Sequence, residues 1–178
     1  DWLMAFKKNW ERINASFFVS EATIQAILQK TYSLDKLQYE ISDQGCANLN
    51  ILVTLPHGDR EIVRIYCRDQ GSAEVENAVM KQVADVIPVP VIKELSQDAG
   101  YTYSVQSYMP GILLSDVLLI QGVDIYGIMV DVGRMAGHLT DWGFGQAGVF
   151  NEKLEVVESL DYVGYSKKML EILQENNK

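Results

Sequence analysis

Between Leu37 and Arg68 the apolar residues recur at every second position, in LQYEI, NLNILVTL and EIVRIYC, and the polar stretch PHGDR separates the last two runs. That period belongs to strands, and a Gly-Asp turn between two alternating runs reads as a hairpin. Three antiparallel strands are the economical reading. Upstream, Ser20 can cap a helix over about 20–33, in which Ile24, Ile27 and Leu28 fall at i, i+3 and i+4. Downstream, GSAEVENAVMKQVADV has a turn glycine, a serine cap and Val75, Val79 and Val83 spaced four apart, as in a helix lying on the sheet. PVPVIKEL and YTYSVQSYM look like two further strands separated by the turn SQDAG. After Pro110 the pattern becomes helical, in SDVLLIQG and DIYGIMVDVGRMAGHLTDW, then a glycine-rich GFGQAG loop and an amphipathic run from about Ser159. The expected class is α+β, with a five-stranded antiparallel sheet and one packed helix in residues 1–109, followed by helices in 110–178.

The 178 residues are 48% hydrophobic, enough for one packed domain or two small lobes. The formal charge of -9 disfavours nucleic acids and anionic membranes as partners. Cys46 and Cys67 are too far apart for a CxxC pair and too few for a disulfide scaffold, which points to reduced thiols in a cytoplasmic protein. No apolar run approaches the roughly 20 residues that span a bilayer. The chain opens on Asp1 and closes in the helical-looking KKMLEILQENNK, so it is expected to be part of a longer protein.

Three strands, a helix, two strands, a linker and then helices is also the order of a kinase-like nucleotide lobe leading into a helical lobe. The segment DQGCANLNILVTL resembles the G-x-x-N strand turn of the aminoglycoside phosphotransferase and choline kinase family, with Gly45 and Asn48 carrying the match. EIVRIY is similar to that family's third strand, SAEVENAVMKQV to its first lobe helix and VIPVPVI to its V-P-x-P entry to the fourth strand. SYMPGILLSDVL resembles the hinge and its exit, and VGRMAGHLTDWGFGQAG the helix and G-F-G loop that follow. The resemblance spans roughly residues 35–150 and implies a protein-kinase-like N-lobe with the start of a C-lobe.

What it implies for function is transfer of the γ-phosphoryl of ATP or GTP, with Mg²⁺, to the hydroxyl of a small molecule. The acidic charge mildly favours a cationic acceptor. The loop at Gly45 would cover the phosphates, its glycine letting backbone amides approach an anion or simply making a turn, with Cys46 beside it and Asn48 holding it. Arg64 is a charge inside an apolar strand and needs a partner. The resemblance makes it the basic residue on the α and β phosphates, paired with Glu76; Glu74 is the alternative partner, and a surface arginine on a half-exposed strand the plainer reading. Arginine departs from the lysine common at this place, although its planar fork also binds phosphate. Ile62, on the Arg64 face, would roof the base, or be plain core. The chain is expected to leave the sheet at Gln106, Ser107, Tyr108 and Met109, a segment whose backbone the resemblance sets against the base edge; Tyr108 could equally be a packing aromatic.

HGD at 57–59 matches the opening of the family's catalytic loop, but the position five residues after Asp59 is Arg64, inside a strand, where a metal-holding Asn is needed. HGD is therefore read as an exposed turn. His138 lies in a helix, and Thr140 stands where the family's helix carries a His. No catalytic or metal-binding residue is assigned in this chain, which alone is expected to bind nucleotide weakly and turn over nothing. The alternatives are a kinase-like module that serves as a non-catalytic interaction or regulatory domain, and an unrelated α+β domain of coincidental strand order.

Overall fold

The computed structural model describes residues 19–33, 37–42, 47–118, 120, 122–159, 161, 163–164, 166–167 and 170–171. Helix α1 (Glu21–Tyr32) is followed by strands β1 (Gln38–Ile41), β2 (Asn48–Thr54) and β3 (Arg60–Tyr66), helix α2 (Ser72–Val83), strands β4 (Ile92–Asp98) and β5 (Tyr101–Ser107), helices α3 (Leu114–Val117) and α4 (Ile125–Leu139), and strands β6 (Gly148–Phe150) and β7 (Val156–Ser159). The chain falls into two compact units, one reaching Glu74 and resuming at Val89–Pro110, the other made of Val75–Pro88 and the residues from Gly111 on.

The first unit is built on a five-stranded antiparallel sheet in the order β1-β2-β3-β5-β4. One of its faces is dry. Ile51 and Val53 of β2, Val63 and Ile65 of β3 and Tyr103 and Val105 of β5 pack with Val19, Ile24, Ile27 and Leu28 from α1 and its approach. Burying each such side chain contributes about 1.5–3 kcal/mol relative to exposure, so this face carries most of the unit's stability. α1 forms here for local reasons as well. Ser20 Oγ accepts the Thr23 amide at 3.1 Å, and Ser33, left-handed at φ 51°, closes the other end through its amide on the Gln29 carbonyl.

Polar clasps fasten the helix to the sheet. The buried Glu61 of β3 accepts hydrogen bonds from the Tyr32 hydroxyl at 2.8 Å and from Lys93 Nζ of β4. Burial and that carboxylate together push the Tyr32 phenol well above its ordinary pKa. Thr31 Oγ1 lies 3.2 Å from the Tyr103 hydroxyl, and Lys30 Nζ donates to the Gln97 carbonyl beside Asp98.

β4 starts and ends later than its sequence pattern suggests. Pro88 and Pro90, lacking amide protons, lie ahead of the strand, while Ser96, Gln97 and Asp98 pair with Tyr103, Thr102 and Tyr101. The turn shrinks to Ala99 and Gly100, both at positive φ (48° and 83°), the geometry that matches a two-residue hairpin to sheet twist.

In the second unit α3 is a single turn, and α4 starts at an Asp124 cap on the Gly127 amide and ends where Thr140 Oγ1 donates to the Gly137 carbonyl. None of the α4 residues is buried. The expectation that only helices follow residue 110 is corrected here, because β6 and β7 pair as a hairpin. A Cβ on Gly148 would strike the Glu158 carbonyl and Val156, so the last glycine of the GFGQAG loop is the residue that lets the two strands close.

Candidate functional site

The sheet's other face collects Asn48 of β2, Ile62 and Arg64 of β3 and Gln106 of β5, whereas Ser107 falls on the core side opposite Glu61. Residues directly opposed in antiparallel strands point to the same side. The register makes three cross-strand rows: Leu52, Ile62 and Gln106; Asn50, Arg64 and Ser104; Asn48, Tyr66 and Thr102. Of these nine only Leu52 and Ile62 are wholly apolar, in contrast to the opposite side of the same strands.

The polar groups of this face satisfy one another. Gln106 Nε2 donates to Ser104 Oγ at 2.9 Å, and the same Oγ lies 3.3 Å from the Tyr66 hydroxyl, all three side chains being buried. Such pairing offsets the cost of removing polar atoms from water. Gln70, in the loop after β3, accepts from both the amide and the hydroxyl of Thr102 through Oε1 and donates from Nε2 to the Gly100 carbonyl. Arg64, in the central row, is half-buried, with its guanidinium carbon 5.8 Å from the centre of the Tyr66 ring.

Asn48, at the start of β2, meets Arg64 directly. Its neighbours fix the amide orientation, since the Ala47 carbonyl can only accept and the guanidinium can only donate. So placed, the Asn48 nitrogen donates to the Ala47 carbonyl at 2.8 Å, and its oxygen accepts from Arg64 Nη2 at 3.1 Å and Nε at 3.2 Å.

The other selected residues are distributed as follows. Gly45 and Cys46 lie outside the described residues. Ile62 is half-buried one row from Arg64, and Glu76 is half-buried on α2 in the second unit. Gln106 and Ser107 do not yet leave the sheet, which corrects the expected exit. Gln106 is paired with Ile62 and Ile92, and Ser107 with Glu61; Ser107 also binds Val91 through its amide and its Oγ. The strand runs on because both flanking strands still offer partners there. Tyr108 is the first residue beyond it, stacked under the Arg60 guanidinium at 4.0 Å.

HGD is the exposed tip of the β2–β3 hairpin, where Gly58 (φ 94°) makes the turn and His57 Nε2 meets Asp59 Oδ2 at 3.0 Å. His138 is exposed on α4, and burial pushes the Cys67 thiol up from its ordinary pKa, away from a reactive thiolate. Among the described residues no group of three or more His, Cys, Asp or Glu is placed to hold a metal ion, and no helix is long and apolar enough to cross a membrane.

Thr102 and Ser104 join this face without being singled out by the sequence. The signal is present in the alternation of EIVRIY and YTYSVQS, but which residue of one opposes which of the other depends on register, and no turn joins β3 to β5.

No family model and no curated protein matches the chain. Among solved structures, the crystal structure of aminoglycoside phosphotransferase APH(4)-Ia is similar to it over 78% of this chain, at a TM-score of 0.61 and 13% sequence identity. The fold is thus kinase-like, with the sheet arranged as in the N-lobe of such phosphotransferases. The match covers 47% of the neighbour, so the chain spans about half of its length.

Proposed function

We propose that this chain is the nucleotide-binding part of a small-molecule phosphotransferase, holding ATP or GTP with Mg²⁺ for transfer of the γ-phosphoryl to a hydroxyl. The observation that carries the reading is Arg64, a permanent cation at the centre of a polar sheet face in a kinase-like fold. An arginine kept in mid-strand among paired polar groups is suited to phosphate, whose oxygens match its planar fork. Ile62 supplies an apolar contact for the base, and the Gly45, Cys46 and Asn48 segment the cover for the phosphates. Glu76 is the carboxylate partner of Arg64 in this reading, and the backbone at Tyr108, the first residue beyond β5, meets the base edge. Residues 1–109 form the nucleotide lobe and 110–178 begin the lobe that takes the acceptor, a small hydroxyl compound for which the negative charge favours a cation. The single HGD lies in a solvent-exposed turn, with Arg64 five positions after its Asp. That observation favours a second reading, a kinase-like module that binds a ligand or partner without catalysis.

Titrating Mg·ATP and Mg·GTP against the melting temperature tests the first reading. Ligand at 100 times its dissociation constant stabilises a fold by about 2.7 kcal/mol, so weak binding is visible if the concentration is raised accordingly. A shift that disappears in Arg64→Ala is expected. A shift unchanged by that substitution means that the phosphates do not rest on β3.

A further inference from the structure

We infer that Asn48 is a positioning residue for Arg64: its side-chain carbonyl holds one edge of the guanidinium and so fixes the plane in which Arg64 meets an anionic ligand. The inference rests on the phosphate-binding reading of Arg64. A free arginine side chain samples many rotamers, and ordering it at the moment of binding costs side-chain entropy that an arginine already held in place does not lose. Here two donors on one edge, Nε and Nη2, converge on a single oxygen at 3.2 and 3.1 Å. Two bonds to one acceptor fix both the position of the guanidinium and the rotation of its plane. Asn48 is itself fixed, because its own nitrogen is tied to the Ala47 carbonyl and its backbone is paired in β2 opposite Tyr66.

The choice of amide has a chemical consequence. An aspartate at the same place would accept the same two bonds but add a further negative charge beside the guanidinium, leaving less field for an anion. A neutral acceptor holds the guanidinium without adding negative charge beside it. Asn48 would thus contribute to affinity for phosphate-bearing ligands without touching them. The same interaction fits the resemblance to a G-x-x-N turn, giving the asparagine a task distinct from holding the loop.

A double-mutant cycle read by ligand-induced melting shifts tests this, with Mg·ATP and adenosine as the probes on Asn48→Ala, Asn48→Asp, Arg64→Lys and the Asn48→Ala/Arg64→Lys pair. Losing hydrogen bonds to a charged group corresponds to about tenfold in affinity. Asn48→Ala is expected to weaken Mg·ATP by that factor when Arg64 is present, to leave adenosine unchanged, and to have no further effect in the Arg64→Lys background, where there is no fork to hold. Asn48→Asp is expected to keep the geometry and still weaken Mg·ATP. As a ligand-free readout, the Arg64 Nε–H nuclear magnetic resonance signal should be slow to exchange in the wild type and broadened in Asn48→Ala. Equal losses for Mg·ATP and adenosine, or equal losses in the wild-type and Arg64→Lys backgrounds, would show a merely structural role and overturn the inference. If Arg64→Lys weakens Mg·ATP but Asn48→Ala does not, the inference falls while the nucleotide reading stands. If neither substitution matters, or the wild type shows no shift, the nucleotide reading falls and takes the inference with it.

Discussion

The two faces of the central sheet are made by the same strands, yet they do different work. In β3 the residues alternate strictly: Val63 and Ile65 point into the core with α1, and Ile62, Arg64 and Tyr66 point the other way. The core side tolerates polarity only at its margin, where Glu61 is clasped by Tyr32 and Lys93. The opposite side buries Ser104 and Gln106 and keeps an arginine at its centre, an arrangement that adds little stability over an apolar one. A sheet that gives up one face to paired polar groups has placed its stability on the other, which is the division expected where a face serves a ligand.

Substitutions on the two faces sharpen or break that division. Ile65→Ala, at a fully buried core position, should cost about 2–5 kcal/mol in urea unfolding through lost burial and the cavity left behind. A loss below about 1 kcal/mol would mean that the core lies elsewhere. Arg64→Ala, one residue away, should cost no more than about 1 kcal/mol of stability while removing the nucleotide-induced shift. Tyr32→Phe tests the clasp at the margin of the dry face. Because the folded phenol titrates above its unfolded pKa of 10.0, its contribution is complete below about pH 10 and is lost as the pH rises further. The substitution should cost about 1 kcal/mol at neutral pH and flatten the alkaline fall in stability. Wild-type and variant curves that stay parallel above about pH 10 would refute the clasp. Smallest of all, His57→Ala should change stability by less than about 0.5 kcal/mol and leave nucleotide shifts as they are, since its side chain is 63% exposed at a hairpin tip.

A second contrast lies between helices. α1 and α4 both carry apolar residues at helical spacing, and periodicity alone reads them alike. α1 buries Ile24, Ile27 and Leu28, whereas Ile125, Met129, Val132, Met135 and Leu139 of α4 are each at least 38% exposed. Amphipathicity says that a face is suited to burial, not what covers it.

The same limit explains what can be read from the sequence. The five strands and the first two long helices are legible because each has a clean period and a local cap or turn: the Ser20 cap, the Gly58 turn and the alternation in β2 and β3. β4 is displaced because its apolar stretch falls among prolines, while the residues that pair are the polar Ser96, Gln97 and Asp98. β6 and β7 escape notice because three- and four-residue strands are too short to show a period and depend on the close approach at Gly148. Within the site, Ile62 and Arg64 can be assigned to one face by counting along a single strand. Ser104, Thr102 and the bond between Asn48 and Arg64 require the register among three strands, which no local pattern encodes.

The division of labour between the faces is tested most directly by labelling the isoleucine δ1 methyl groups and adding ATP with Mn²⁺, a paramagnetic substitute for Mg²⁺. Ile62 lies on the Arg64 face, while Ile51 and Ile65 lie on the core face of the same two strands. The account predicts that the Ile62 signal broadens first as Mn·ATP is added, that Ile51 and Ile65 stay sharp at the same concentration, and that Arg64→Ala abolishes the difference. Broadening of Ile51 or Ile65 ahead of Ile62, or no selective broadening of any of the three, would contradict it.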